Sequence, residues 1–241
     1  MPRTVAPLAR KKRVPRDRPD TRIEQGLRAR GYSLVAGVDE VGRGCLFGPV
    51  VAAAVILDPR HPVRGLNDSK RLDAESRRVL SGRIRERAIA VSLAAVDNAQ
   101  IDRVNIYQAS RLAMRAAVLG LDPAAAALVV DALSLDVAIP QKSIVKGDTT
   151  SSSVAAASIV AKVERDRWME EWDLVFPEYG LASNKGYGSP HHLAALEKHG
   201  PTPLHRMTFK PVAECACFGP EPDSRLPLPF GTPDGAAAHS F

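Results

Sequence analysis

The sequence predicts an α/β fold, a mixed sheet covered by helices, and three observations carry that reading. Short apolar runs at 34–38, 50–57 and 90–96 have strand length, with one helical stretch, 73–87, between the second and third. Beyond them, helices and strands alternate. Residues 101–119 repeat apolar side chains at helical spacing, 128–130 and 143–145 are short strands, and an Ala-rich helix runs over 152–172. Thr149 to Ser152 offers N-caps to this last helix. Three consecutive strands followed by alternating helices and strands predict the layered α/β arrangement.

At 241 residues the chain suits one domain with a real core. Residues 1–22 carry many charges and four prolines without a periodic apolar face, which predicts a disordered arm. Residues 219–241 are rich in Pro and Gly and predict a second flexible tail, leaving 23–218 as the folded unit. The net charge of +6 is unevenly placed: residues 1–30 hold ten Lys/Arg against Asp17, Asp20 and Glu24, so that segment carries +7 and the remainder −1. A basic arm on a near-neutral body can add salt-dependent affinity for phosphate polyanions, or can serve solubility alone. No apolar run approaches the roughly 20 residues that span a bilayer. Three cysteines give no disulfide framework, which suits a reducing compartment, with the cytoplasm as the expected location.

The most informative segment is Asp39-Glu40-Val41-Gly42-Arg43-Gly44, at the end of the first strand. Side chains alternate along a strand, so both acids reach one ion only if the chain leaves regular β geometry there. Gly42 and Gly44 supply that freedom. Asp131 ends the 128–130 run as Asp39 ends the first strand. Side by side and parallel, those strands bring both acids to one sheet edge, where ligand sites of open α/β sheets gather. Asp148 follows the 143–145 run and precedes the long helix, where it either joins the cluster or merely caps the helix. Clustered carboxylates repel unless cations sit between them, and oxygen ligands of this kind suit Mg²⁺ or Mn²⁺.

The hexapeptide with its flanks, together with Asn67-Asp68-Ser69-Lys70, Val129-Val130-Asp131-Ala132, Lys146-Gly147-Asp148, residues 155–162, Asn184-Lys185-Gly186-Tyr187-Gly188 and residues 200–206, closely resembles the ribonuclease HII family. The resemblance runs from about Val35 to about Val212. It implies a ribonuclease H-like fold with a five-stranded mixed sheet and a C-terminal helical extension. It also implies an endoribonuclease acting on the RNA strand of RNA–DNA hybrids, cutting 5′ to single ribonucleotides in duplex DNA and leaving 3′-hydroxyl and 5′-phosphate ends. Two metal ions, Mn²⁺ or Mg²⁺, are implied, with Asp39, Glu40, Asp131 and Asp148 as ligands and catalytic residues. Gly42, Arg43 and Gly44 are implied as the 2′-hydroxyl sensor and Tyr187 as the ring that packs on the sugar. Lys185 is the foremost of the phosphate-contact lysines, ahead of Lys70, Lys142, Lys146 and Lys162.

Two other classes compete. A ribonuclease H-like nuclease for another nucleic acid would have no use for a 2′-hydroxyl sensor, and a non-catalytic hybrid binder would gain from losing acids that repel phosphate. Asp166, within Glu164-Arg165-Asp166-Arg167, competes with Asp148 for the fourth acidic place by sequence but reads as part of a solvated charged face. Cys215-x-Cys217 lacks the second pair of a zinc site, and Cys45 reads as a small buried side chain. The tail segment 225–230 loosely resembles peptides that bind the bacterial sliding clamp, though Arg225 replaces the usual glutamine. A monomer without membrane contact is the expected assembly.

Overall fold

A computed structural model of the chain describes residues 18–216. The elements run α1 (Arg22–Arg28), β1 (Val35–Val41), β2 (Val50–Leu57), α2 (Ala74–Arg87), β3 (Ala88–Val96), α3 (Asn98–Val104), α4 (Ile106–Leu119), β4 (Ala127–Asp131), β5 (Gln141–Ile144), α5 (Gly147–Thr150), α6 (Ser152–Asp173), α7 (Leu181–Asn184), α8 (Pro190–His199) and α9 (Lys210–Ala216). The strands form one sheet ordered β3-β2-β1-β4-β5. β1 to β3 are antiparallel neighbours, whereas β4 runs parallel to β1, and β5 parallel to β4. This is the mixed five-stranded sheet expected, flanked by helices.

β2 is apolar throughout because both of its faces are covered. Val50, Ala52, Ala54 and Ile56 pack with Ala109, Ala113, Met114 and Ala117 of α4, while Val51, Ala53 and Val55 meet α2 and α6. The buried part of α6 is made of small residues, Ala155, Ala156, Ala157 and Ala161 among them, so this helix can lie very close to the sheet. At Gly37 on β1 an added Cβ would stand 2.0 Å from the Ser153 carbonyl carbon. The body is engaged from Asp20, whose carbonyl accepts from Ser152 N at 3.0 Å, ahead of the expected boundary at 23. Glu24 then accepts from Ser151 Oγ and Ser153 Oγ at 2.7 Å, pinning α1 to the start of α6.

Two elements differ from expectation. The helix predicted over 101–119 is two helices, broken where Asn105 takes φ 66° and its side chain accepts from Gln108 N to cap α4. β1 does not end at Val38: it continues through the acidic pair to Val41, in register with β2 (Asp39 opposite Ala53, Glu40 opposite Ala52). The β2 ladder persists there after the pairing of β1 with β4 has stopped at Val38 and Val130. The turn begins only at Gly42, with φ +91°. Among the described residues no helix is long and apolar enough to cross a membrane. The basic arm before residue 18, Cys217 and the tail over 219–241 lie outside the described residues.

Gly37→Ala should destabilise the fold by about 3 kcal/mol or more, because backbone rather than a flexible side chain occupies the space. Thermal unfolding checks this, and a melting temperature within a degree or two of the parent would refute the tight seating of α6.

Candidate active site

The parallel register of β1 and β4 aligns Val38 with Val130, so Asp39 and Asp131 follow side by side at the same sheet edge. Asp39 is buried, and Glu40 N donates to its Oδ1 at 2.9 Å. The Ser158 hydroxyl of α6 partly offsets the rise that burial causes in the Asp39 pKa, and Ser158 Oγ lies 3.0 Å from Ser69 Oγ. The blocks around Ser69 and Ser158 thus meet behind Asp39. Glu40, on the alternate face of the strand, receives Arg43 Nη1 at 3.2 Å, while its Oε2 is buried without a partner.

Asp131 Oδ1 accepts from Gly147 N at 2.7 Å, tying the end of β4 to the turn that carries Asp148. Ala132 and Lys146, beside Asp131 and Asp148, hold left-handed backbone at φ 51° and 58°. Each non-glycine residue in that region costs of order 1–2 kcal/mol. Asp148 lies in α5, and the cap of α6 is Ser151, whose Oγ accepts from Val154 N. The capping role open to Asp148 in the sequence is therefore already filled. Asp148 instead faces an open pocket of about 380 Å³ with Asp68, Lys70 and Asp131, and Lys70 Nζ sits 3.5 Å from its Oδ2.

Burial pushes Asp39 well above the ordinary carboxylate range, and the charges of Glu40 and Asp131 add to it. Glu40 is raised by burial against the opposing pull of Arg43, and Asp148 is raised by burial and by Asp68 against Lys70. Acids only partly offset by Arg43 and Lys70, with the orphaned Glu40 Oε2, fit a divalent cation. Among the described residues, however, no three His, Cys, Asp or Glu side chains converge into a metal cage. An open set of carboxylates suits an ion such as Mg²⁺, which keeps waters and takes further oxygens from substrate phosphate.

The two glycines of Gly42-Arg43-Gly44 have different reasons. At Gly42 the positive φ and the Arg165 side chain, 2.3 Å from an added Cβ, exclude any side chain. At Gly44 a Cβ would meet only Tyr187 Cε1, at 3.8 Å, so neither strain nor packing within the protein requires glycine there. The Tyr187 ring, 44% exposed, therefore stands beside Gly44 across a gap that a side chain would narrow. Backbone joins the two loops: Leu46 N donates to Gly186 O at 2.8 Å. Lys185 Nζ is held by Glu170 at 2.8 Å and must leave it to meet a phosphate.

The family whose sequence model is described as Ribonuclease HII matches residues 36–212. The chain belongs to the ribonuclease HII family. A ribonuclease HII of Solibacter usitatus is 60% identical over 206 residues, covering 86% of this chain and 90% of that protein. One from Enterococcus faecalis is 50% identical over 194 residues, covering 80% of this chain and 76% of that protein. The solved ribonuclease H2 of Pyrococcus horikoshii OT3 superposes with a TM-score of 0.67 at 26% identity, over 76% of this chain and 96% of that one. A complex of PCNA with ribonuclease HII from Archaeoglobus fulgidus gives 0.65, also at 26% identity and with the same coverage. The fold is the ribonuclease H-like one, and the chain is a nuclease.

Several buried residues of this site were not legible as such. Arg165, fully buried, donates to the carbonyls of Pro49, Lys185 and Phe47. The signal was its spacing: Ala161, Arg165 and Met169 recur every fourth residue on one buried face of α6. Asp166 is a correction, because it is held in a half-buried network by Lys162 at 2.7 Å and Arg77 at 3.9 Å rather than on a solvated face. Cys45 is buried, as expected. His192 and His205, also fully buried, face each other with Nε2 atoms 3.0 Å apart. Thr202 N donates to His205 Nδ1, and His192 Nδ1 bonds the Tyr187 carbonyl at 2.9 Å. A carbonyl only accepts and a backbone N–H only donates, so one direction satisfies every atom. His205 Nε2–H donates to His192 Nε2, and His192 Nδ1–H donates to Tyr187 O. Both rings are neutral in this arrangement.

Burial and the neighbouring His192 hold His205 down at about 3, against an ordinary 6.5. Between those values the unfolded chain binds the proton and the folded one does not, so stability falls as pH drops below about 6.5 and toward 3. The expected slope from this group is up to about 1.4 kcal/mol per pH unit. Denaturant unfolding of the parent and His205→Gln across pH 4–7 measures it, and an unchanged slope in the variant would place the acid sensitivity elsewhere.

Proposed function

We propose that the chain hydrolyses the RNA strand of RNA–DNA hybrids and cuts 5′ to a ribonucleotide embedded in duplex DNA, leaving 3′-hydroxyl and 5′-phosphate ends. The observation that carries this reading is the gap between Gly44 and Tyr187, beside an edge of carboxylates that burial raises. A DNA-only nuclease has no need of such a gap. The 2′-hydroxyl is what separates RNA from DNA, and a backbone loop without side chains can approach it closely.

Asp39, Glu40, Asp131 and Asp148 would hold two divalent ions, Mg²⁺ or Mn²⁺. Such ions, when bound, supply the activated water and the positive charge that phosphodiester hydrolysis requires. The protein's own groups do the placing. Glu40 N fixes the Asp39 carboxylate, Gly147 N fixes that of Asp131, and Arg43 orients Glu40. Lys70 offsets the charge of Asp148 and lies where a phosphate would approach. Tyr187 offers the face of its ring to the sugar. The clamp-like segment 225–230 lies outside the described residues; the PCNA complex of the Archaeoglobus fulgidus relative supports a clamp contact for this chain as well.

An end-labelled DNA duplex with one internal ribonucleotide should be cut 5′ to it with Mg²⁺ or Mn²⁺ and left intact in EDTA. Asp131→Asn should reduce that cut by at least about 100-fold. An all-DNA duplex cleaved at a similar rate would overturn the ribose reading. Binding of hybrids without any cut would favour a pure binder.

Gly44→Ala separates the sensor from the scaffold. It should fold with an unchanged melting temperature, since nothing in the protein is displaced. The cut at a single ribonucleotide should fall by roughly tenfold or more, because a misplacement of about 1 Å is that costly to an in-line reaction. Parent-like cleavage by Gly44→Ala would mean that the sugar binds elsewhere.

A further inference from the structure

The two halves of the proposed sensor hang on adjacent residues of one short segment. Arg206 is fully buried, and its guanidinium donates to Gly48 O and Arg43 O, both at 2.9 Å. Arg43 is the middle residue of the Gly-Arg-Gly loop, so the loop rests on this guanidinium. No carboxylate pairs with Arg206 among the described residues, and its Nη2 has no hydrogen-bond partner. Burial lowers it to about 10. A buried cation bound to carbonyls alone, with one nitrogen unmet, is a costly way to stabilise a fold. Besides its two hydrogen bonds, the guanidinium lies over the Phe209 ring, 5.1 Å from the centroid.

The residue before it serves the other half. His205 passes its hydrogen bond to His192, and His192 ends on the Tyr187 carbonyl. The segment itself is laced to the far side of the sensor loop: Gly48 N donates to Leu204 O at 2.9 Å and Arg206 N to Leu46 O at 2.8 Å. Phe47 and His205 form a β-bridge, with rings 5.0 Å apart and edge to face. Residues 204–206 therefore behave as a rigid bar, one end carrying the glycine loop and the other the tyrosine.

We propose that Arg206 and His192 are positioning residues for ribose recognition, jointly setting the gap between Gly44 and Tyr187. This rests on the reading of that gap as the ribose sensor. Neither side chain touches substrate. Arg206 acts through the carbonyl of Arg43, and His192 acts through the carbonyl of Tyr187. The fork of the guanidinium matters rather than its charge, because one point donor cannot meet both Arg43 O and Gly48 O.

His192 gives the sharper test. Asn at 192 keeps an N–H near the Nδ1 position, facing Tyr187 O, whereas Gln places its amide near Nε2. Gln is the larger and fills the buried site better, so a purely structural role ranks Gln above Asn. Positioning ranks them the other way. Single-turnover and steady-state cleavage of the single-ribonucleotide duplex would be measured for the parent, His192→Asn, His192→Gln and Arg206→Lys, with melting temperatures alongside. The expected result is a kcat lowered at least about tenfold in His192→Gln and Arg206→Lys, KM within about twofold, and His192→Asn nearer the parent. His192→Gln matching or exceeding His192→Asn overturns the proposal, as does parent-like kcat in folded Arg206→Lys. If Arg206→Lys does not fold, the ranking of the two His192 variants decides alone. A parent enzyme that cuts long hybrids but ignores the single ribonucleotide removes the sensor reading and this inference with it. Parent selectivity with an unchanged ranking removes the inference only.

Discussion

Everything at this site depends on how closely α6 lies against β1. With no room for a methyl group at Gly37, the helix start is pressed on the strand that carries Asp39 and Glu40. That contact brings the Ser158 hydroxyl to Asp39 and, further along the same helix, aims Arg165 under the loop at Gly42. Small side chains on the helix make the approach possible, and Glu24 of α1 secures the helix start from the other side. One helix thus places the catalytic edge and the loop that adjoins it. A helix one side chain further out would separate the two.

The charges are arranged as two opposed sets, the acids only partly offset by Arg43 and Lys70 and the buried arginines by no carboxylate within ion-pair distance among the described residues. Burial raises Asp39, Glu40 and Asp148, and the charge of Asp131 adds to the rise in each. Beneath the sensor loop, Arg165 and Arg206 are buried against carbonyl oxygens and lack acid partners among the described residues. An ion pair between the sets would recover much of the desolvation cost, yet it would consume the acids. Fastening Arg165 and Arg206 to carbonyls keeps these two cations off the carboxylates, whose protein partners are Arg43 on Glu40 and Lys70 on Asp148. It also fixes backbone rather than side chains, which the hydroxyl-reading role proposed for this loop would require.

The sheet and its acidic edge were legible in the sequence because strand runs ending in Asp39 and Asp131 are local patterns. Parallel pairing then aligns them without further information. The continuation of β1 to Val41 was not legible, because it depends on the partner β2 rather than on residues 39–41 themselves. The break at Asn105 follows from a single positive φ within an otherwise unbroken apolar period, and periodicity cannot register it. Tyr187 could be read as an exposed loop ring from its glycine neighbours. The roles of Arg165, Arg206, His192 and His205 could not, since each is set by contacts with distant segments. Their residue types, Arg and His, point by default to the surface.

The contrast between Gly42 and Gly44 shows what structure adds to such a motif. In the sequence they are equivalent, two glycines about one arginine. In the fold, Gly42 is explained completely by its backbone angle and by Arg165, and no ligand has to be invoked for it. Gly44 is explained by neither. A residue for which the protein alone shows no reason, next to an exposed aromatic ring and an acidic sheet edge, is where the proposed function would seat its substrate. The sugar of a ribonucleotide, small enough to meet bare backbone and flat enough to lie on a ring, is the partner proposed for that gap.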